Sequence, residues 1–502
     1  MTALIIHGHF YQPPRENPWT GKIDQEPSAS PYHDWNERIH AECYAPNAQA
    51  HIMGAQQTIE RTINNYERIS FNFGPTLLSW LELHHAATYN RILAADRASI
   101  SMRGGHGNAI AQAYGHAILP LCNDRDRLTQ VLWGIADFRH RFGREPESLW
   151  LPETGCNNAT LDLLIDQKLR FVILAPHQLG RFKLPGTQEW QEVKDGKPPT
   201  TGAYRYLHQD GSGRSLAVFF YNDSVSRAIA FEKVLSSSEA LVNSFKQAAS
   251  NGSLVSVATD GETYGHHFKF GDLCLAHALE LEAPAAGFTI TNFGEYLDQH
   301  PAEIQVEINQ GADGEGTSWS CSHGTARWMS DCGCQIGAEP GWNQAWRGPL
   351  RAAFNFLRDH AAREFESAGG DLFIDPWDAR NAYIELILNP LRAPADFLRR
   401  HARRPLSQID HDRALALLEM QRHSLLTFTS CGWFFSDISG IESAQVLKYA
   451  ARVIELMDQL GLSSGRDEFL EILSKAKSNR PGLGTAADIY RRSIERLAPH
   501  LT

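Results

Sequence analysis

"ESLWLPETGC", residues 147–156, decides the reading of the whole chain. Ser148 to Pro152 are mostly apolar and read as a short buried strand. Glu153 follows at once, and after it comes a turn of small residues. A carboxylate so close to a core segment is costly unless the strand ends where the core ends. A strand that delivers a carboxylate to the edge of a core is the pattern of an α/β protein whose chemistry sits at its strand ends.

The neighbouring segments extend that pattern. "ALIIHGHF" (3–10), "RISFNF" (68–73), "ASISMR" (98–103), "LRFVILA" (169–175), "SLAVFFYN" (215–222) and "SLVSVATDGE" (253–262) are β-branched or aromatic runs that read as strands. Between them, residues 47–67 and 126–143 read as helices, the second with Leu128, Leu132, Ile135 and Phe138 or Phe142 on one face. Alternating strands and helices imply a parallel sheet with right-handed crossovers. Counted with residues 148–153, the seven strands predict an α/β fold, a seven-stranded (β/α) barrel, with a doubly wound sheet as the alternative. The stretch 176–214, rich in Gly, Pro and charge, reads as a loop or hairpin over one end of the sheet.

After about residue 290 the pattern changes. Residues 309–351 are Gly-rich and aromatic, and helical stripes then dominate: Phe354, Leu357, Ala361 and Phe365, then Val446, Tyr449, Ala450, Val453, Met457 and Leu460. The expected division is a barrel over 1–290 and, over 291–502, an irregular aromatic segment plus a mostly helical domain that completes the cleft.

A chain of 502 residues exceeds one compact core. With 42% hydrophobic and 21% charged residues it is an ordinary globular composition, not a disordered one. A formal net charge of −11 argues against a nucleic-acid partner. No apolar run reaches the ~18 residues of a membrane span. The start, "MTALIIHGHF", lacks a basic region followed by a long apolar segment, so no secretory signal is expected. Eight scattered cysteines point to a reducing, cytoplasmic setting.

The predicted strands end in polar residues: His7 and His9, Asn72, the approach to His106, Glu153, and "TDGETYGHH" with Asp260, Glu262, His266 and His267. In a parallel barrel these C-terminal ends share one face. Two carboxylates there, Glu153 and Asp260, suit glycosidic cleavage by a nucleophile and a general acid. Glu262 reads as structural. His7, His9, Asp260 and His266 also suit a divalent metal, as in a deacetylase, and that alternative stands open. "CSHGTARWMSDCGC" offers Cys321, His323, Cys332 and Cys334, but its C-x-H and C-x-C spacing is not a standard zinc pair, and ordinary cysteines are the favoured reading.

Four stretches resemble glycoside hydrolase family 57. "HGHFYQPP" (7–14) is similar to its His-Gln-Pro motif, with Tyr11 directly before Gln12. "GNAIAQAYGHAILPL" (107–121) is similar to the second motif, with Ile110 where the family has a glutamate. "FGREPESLWLPETG" (142–155) and "TDGETYG" (259–265) resemble the third and fourth. The resemblance implies a seven-stranded barrel, Glu153 as nucleophile and Asp260 as acid/base in a retaining enzyme acting on α-1,4-glucans. From about residue 310 the chain resembles an uncharacterised domain that often follows this barrel in bacterial proteins.

The expected site is therefore Glu153 and Asp260, with His7, His9, Gln12, His106, Trp319, Trp342 and Trp433 as sugar contacts, no cofactor and no metal. A carbohydrate is the expected partner, with neither nucleic acid nor membrane. The alternatives are a metal-dependent carbohydrate deacetylase and a non-catalytic glucan-binding protein.

Overall fold

The computed structural model describes residues 2–54, 56, 58–193, 200–249 and 252–495. The chain groups into two compact units, one of Met1–Gln12, Gln25–Ala113 and Phe138–Trp319, the other of Pro13–Asp24, Tyr114–Asp137 and Ser320–Thr502.

The first unit holds the strands: β1 (Thr2–Phe10), β2 (Ala50–Met53), β3 (Ile59–Ile63), β4 (Ser70–Phe73), β5 (Ala111–Gln112), β6 (Leu149–Trp150), β7 (Phe171–Leu174), β8 (Leu179–Lys183), β9 (Gln191–Glu192), β10 (Ala203–Leu207), β11 (Ser215–Phe220), β12 (Leu254–Asp260), β13 (Phe288–Ile290) and β14 (Ile304–Ile308). β1 is central, parallel to β12 on one side and to β13 and β4 on the other. Its register sets His9 opposite both Asp260 and Asn72. β5 pairs with β6, and β7 with β11, again in parallel. Single parallel bridges, Phe71 with Ala109 and Ser148 with Phe171, stand between these ladders. Among the described residues the ladders form four sheets rather than one continuous sheet of seven strands.

Six predicted strands coincide with observed ones; "ASISMR" does not. It is the end of the helix Ala86–Met102, whose buried residues Tyr89, Ile92, Leu93, Asp96 and Ser99 repeat at helical spacing. That long-range periodicity overrides the short local stretch. The strand that follows this helix is the two-residue β5. Residues 47–67, expected as a helix, include the antiparallel hairpin β2–β3, whose Ala50 and Ile52 pack on Ala276. The 176–214 connection carries β8, β9 and β10, which extend a sheet in the order β7-β11-β10-β14-β8-β9; its residues 194–199 lie outside the described residues. The helix expected over 126–143 runs from Asp124 to Phe142.

The second unit is helical around one apolar core. Phe354, Leu357, Ala361 and Phe365 of the helix Arg347–Gly369 are buried as their stripe predicts, with Val446, Ala450, Val453 and Met457 of Ile441–Gln459 and Leu417 and Leu418 of Gln408–Leu426. No helix among the described residues is long and apolar enough to cross a membrane.

Candidate active site

β6 stops at Trp150, and Pro152–Thr154 makes one tight turn. Within it Glu153 has φ 57° and Thr154 φ 51°, two consecutive left-handed residues without a glycine. Such backbone costs on the order of 1–3 kcal/mol per residue and persists only when surrounding contacts over-determine it. Here they do. Trp319 donates its backbone N–H to the Glu153 carbonyl at 3.0 Å. Gln178 Nε2 donates to the Thr154 carbonyl at 2.8 Å and to the Thr317 carbonyl at 3.1 Å. Cys156 and Thr317 form an antiparallel bridge. The indole of Trp319 then donates to Glu153 Oε2 at 2.9 Å, a hydrogen bond that favours the ionised carboxylate.

Asp260 ends β12. Its side chain opens to solvent, yet protein crowds it and two carboxylates, Glu262 and Glu153, face it. Desolvation, then the charge of Glu262, then that of Glu153, raise its pKa well above the ordinary aspartate value. Glu262 is buried; its Oε1 accepts from Tyr44 Oη at 2.6 Å and from the Tyr11 backbone N–H at 3.0 Å. Burial raises its pKa to about 7. It latches the segment after β1 to the segment after β12, a structural role. Gly261 between the two carboxylates lies flat on Phe10: a Cβ there would come within 2.2 Å of that ring.

His7 and His9 leave β1 on the inner face, stacked on Trp150 at 4.8 and 4.9 Å between centroids. Burial lowers both pKa values to about 3, so both rings are neutral at ordinary pH. The network assigns their protons. Asn72 Nδ2 donates to Gln112 Oε1 at 2.8 Å and to His9 Nδ1 at 3.0 Å, so the His9 proton sits on Nε2. Asn72 Oδ1 accepts from His7 Nε2 at 3.0 Å, and His7 Nδ1 accepts from Ser70 Oγ at 3.1 Å. Both His7 nitrogens are thus committed to the protein, which leaves neither for a metal. His266 turns away to Glu42, at 2.5 Å.

The structure gathers Glu153, Asp260, His7, His9 and Trp319 into one unit. Trp319 packs edge-on against Trp150 at 5.2 Å and Tyr221 at 6.4 Å, which makes it a support for Glu153 as well as a wall. Gln12 is half-buried beside Tyr11, its Nε2 donating to the Tyr11 carbonyl at 3.1 Å. His106 is elsewhere: Nδ1 meets Glu147 Oε1 and Nε2 meets Asp298 Oδ2, each at 3.0 Å. Glu147 precedes β6 whereas Glu153 follows it, so His106 belongs to an ion-pair network at the opposite ends of the strands and is not a sugar contact. Trp433 is fully buried in the helical core against Phe354 and Phe428, which makes it a packing residue and not a platform. Trp342 is half-buried in the second unit, with Arg480 over its ring at 5.9 Å.

Sequence reasoning missed Gln112 and Tyr221. Gln112 sits on the two-residue β5, too short to show a strand pattern. Tyr221 directly follows β11; burial, then the charge of Asp223 and then that of Asp260, push its pKa upward, which places it near Asp260. Its signal was a tyrosine and an asparagine closing the run "SLAVFFYN". Ile110 is buried with Ala3, Ile5 and Trp150.

Comparison with known proteins gives two family matches: the model of glycosyl hydrolase family 57 over residues 4–308, and that of a domain of unknown function, DUF3536, over 342–500. No curated protein matches. Among solved structures, an exo-type maltose-forming amylase from Pyrococcus sp. ST04 aligns with TM-score 0.67 at 15% identity over 94% of this chain and 83% of that one. A branching enzyme from Pyrococcus horikoshii aligns with TM-score 0.56 at 15% identity over 95% and 94%. The α-amylase AmyC from Thermotoga maritima aligns with TM-score 0.51 at 13% identity over 94% and 95%. At such identities the shared property is the fold.

Proposed function

Because this chain belongs to glycosyl hydrolase family 57, we propose that it is a retaining enzyme acting on α-1,4-glucans, with Glu153 as nucleophile and Asp260 as acid/base. The observation that carries the reading is the pairing of two strand-end carboxyl groups in different surroundings, with the charge of Glu153 acting on Asp260. Trp319 favours the anion of Glu153, while desolvation and the charges of Glu262 and Glu153 keep the proton on Asp260. Two carboxyl groups driven apart in this way are what a double displacement needs.

Glu153 attacks the anomeric carbon as Asp260 gives its proton to the leaving glycosidic oxygen, forming a glycosyl ester on Glu153. Asp260, now a carboxylate, takes a proton from water or from a sugar hydroxyl, whose oxygen attacks the same carbon and frees Glu153. Water gives hydrolysis; a sugar hydroxyl gives transfer. Neutral His9, on the inner face beside Asp260, is a wall of the proposed sugar site, and neutral His7 orients Asn72 beneath it. The likeness in fold to two amylases and a branching enzyme supports the glucan class.

We read the fold around this site as a seven-stranded barrel in the order β12, β1, β4, β5, β6, β7, β11. The supports are the parallel ladders, the two single bridges between them, and the hydrogen bond from Asn222 N–H to the Ser256 carbonyl at 2.7 Å, which links the segment after β11 to β12. Eight free cysteines support a reducing, cytoplasmic compartment. The test incubates the wild type and Glu153→Ala with malto-oligosaccharides. Wild type is expected to give shorter chains, or longer and shorter chains together. Glu153→Ala is expected to lose at least ~10³-fold in turnover. Equal product from the variant rules out the assigned nucleophile.

A further inference from the structure

Between the two matched segments lie residues 309–341, covered by neither family model. The part from Ser320 to Arg347 belongs to the second unit and has almost no regular structure, only the single turn Ala326–Trp328 before the helix that starts at Arg347. Within it, ligand atoms of Cys321, His323, Cys332 and Cys334 all lie within 4.8 Å of one another. Cys321 Sγ is 3.9 Å from Cys332 Sγ and 3.8 Å from Cys334 Sγ, and Cys334 Sγ is 3.5 Å from His323 Nδ1. We propose that these four side chains form a structural zinc site of three thiolates and one imidazole.

The distances carry it. A tetrahedral zinc with Zn–S of ~2.3 Å and Zn–N of ~2.05 Å places its sulfurs ~3.8 Å apart and each sulfur ~3.5 Å from the nitrogen. The two sulfur–sulfur separations of 3.9 and 3.8 Å and the sulfur–nitrogen separation of 3.5 Å match those values. Sulfurs at 3.8 Å are far beyond a disulfide bond, ~2.05 Å. Four protein ligands close the coordination sphere, as in structural and not catalytic sites, and soft thiolates select zinc over magnesium or calcium. Gly333, at φ 77°, makes the left-handed turn that lets Cys332 and Cys334 face one centre.

A second observation is independent of those distances. Arg347 is fully buried and forms no ion pair with a carboxylate among the described residues. Its guanidinium donates only to carbonyls: Trp433 at 2.9 Å, Cys334 at 2.8 Å, Phe434 and Phe435 at 3.3 Å. A buried cation needs a counter-charge. The groups able to carry one that act on Arg347 are Cys332, Cys334 and Cys321. Zinc bound to three thiolates has a net charge of −1 and supplies it. The metal then ties an irregular segment to the first turn of the long helix, where packing alone offers few regular contacts.

The full-length chain, purified from zinc-supplemented cells and dialysed, is expected to hold about one zinc per chain by mass spectrometry. The double variant Cys332→Ser/Cys334→Ser is expected to hold almost none, and Cys274→Ser, in the other unit, is expected to keep it. Wild type stripped with chelator and reloaded with Co²⁺ is expected to show thiolate charge-transfer absorption and intense tetrahedral visible bands. The cobalt spectrum needs no variant, so a variant that fails to fold leaves the test intact. Sub-stoichiometric zinc in wild type, an octahedral cobalt spectrum, equal zinc in the double variant, or a disulfide joining two of these cysteines in a non-reduced peptide map overturns the proposal.

Discussion

Glu153 and Asp260 are chemically similar, and their surroundings separate them. The Trp319 indole donates to the Glu153 carboxylate, and a hydrogen bond to a charged group is worth about 1.5–3 kcal/mol. Trp319→Phe keeps a ring of similar shape and removes the N–H. It is expected to lower kcat about 10- to 100-fold with a smaller change in KM, measured by steady-state kinetics on a malto-oligosaccharide. Asp260 has a folded pKa above its unfolded value, so the native state holds that proton more tightly. Stability from this group is full below the unfolded pKa, near 3.8, and declines as pH rises through the raised folded value. Asp260→Asn is therefore expected to abolish turnover and yet raise Tm at pH 7, with the difference from wild type shrinking to nothing below about pH 3.8. A lowered Tm at pH 7 contradicts the crowding of Asp260 by Glu153 and Glu262. In wild type the same proton is expected to set the alkaline limb of kcat/KM, which then falls as Asp260 ionises.

At the scale of elements, the turn after β6 is held from outside itself. Its two left-handed residues have no glycine to ease them, and the restraint comes from the 317–319 segment and from Gln178. Gln178 is fully buried; besides its two donations, its Oε1 accepts the Ala175 N–H at 2.8 Å. Gln178→Ala leaves one buried donor and two buried carbonyls without this partner. It is expected to cost about 2–4 kcal/mol of stability in urea unfolding and to reduce kcat through a loosened Glu153, although Gln178 touches neither carboxylate. The proposed acid/base is held by a different device. Gly261 packs its backbone on Phe10, and Glu262 accepts from Tyr11 and Tyr44, so the end of β12 and the end of β1 move as one.

For the molecule as a whole, buried titratable groups govern acid stability. His7, His9 and His423 are buried with pKa values lowered to about 3. A lowered histidine pKa means the unfolded chain takes up the proton first, so this stability is full above about 6.5 and is lost as pH falls toward about 3. Asp260 and Glu262 act in the opposite sense; Glu262 does so between about 7 and 4.5. His40, whose pKa burial lowers to about 4, acts in the same sense as the three histidines. Tm followed by calorimetry is expected to fall as pH drops from about 6.5 toward about 3; a Tm that stays flat across that range contradicts burial of the neutral histidines.

The sequence by itself determined the strands that carry the proposed catalytic pair and the residues at their tips. Each is a short apolar run ending in a polar side chain, and that pattern is local. It also determined the helical stripes of the C-terminal region, because a repeat of 3.6 survives in one dimension. "ASISMR" misled because its short stretch, with Ile100 between two serines, read as a strand while a helix reaching back to Ala86 decided otherwise. The role of His106 was out of reach because strand direction tells which end a residue occupies only once the strand is identified correctly. Trp433 could not be told from a sugar platform, since a tryptophan in a loop and one in a core read alike. Tertiary structure alone decided what faces what: Trp319, 166 residues beyond Glu153, on its carboxylate; Glu262 latched to Tyr44; and a C-x-H and a C-x-C brought to tetrahedral spacing by a turn at Gly333. Side-chain type and local period are written along the chain, whereas the field at a carboxylate and the distances within a ligand set belong to groups that only folding makes neighbours.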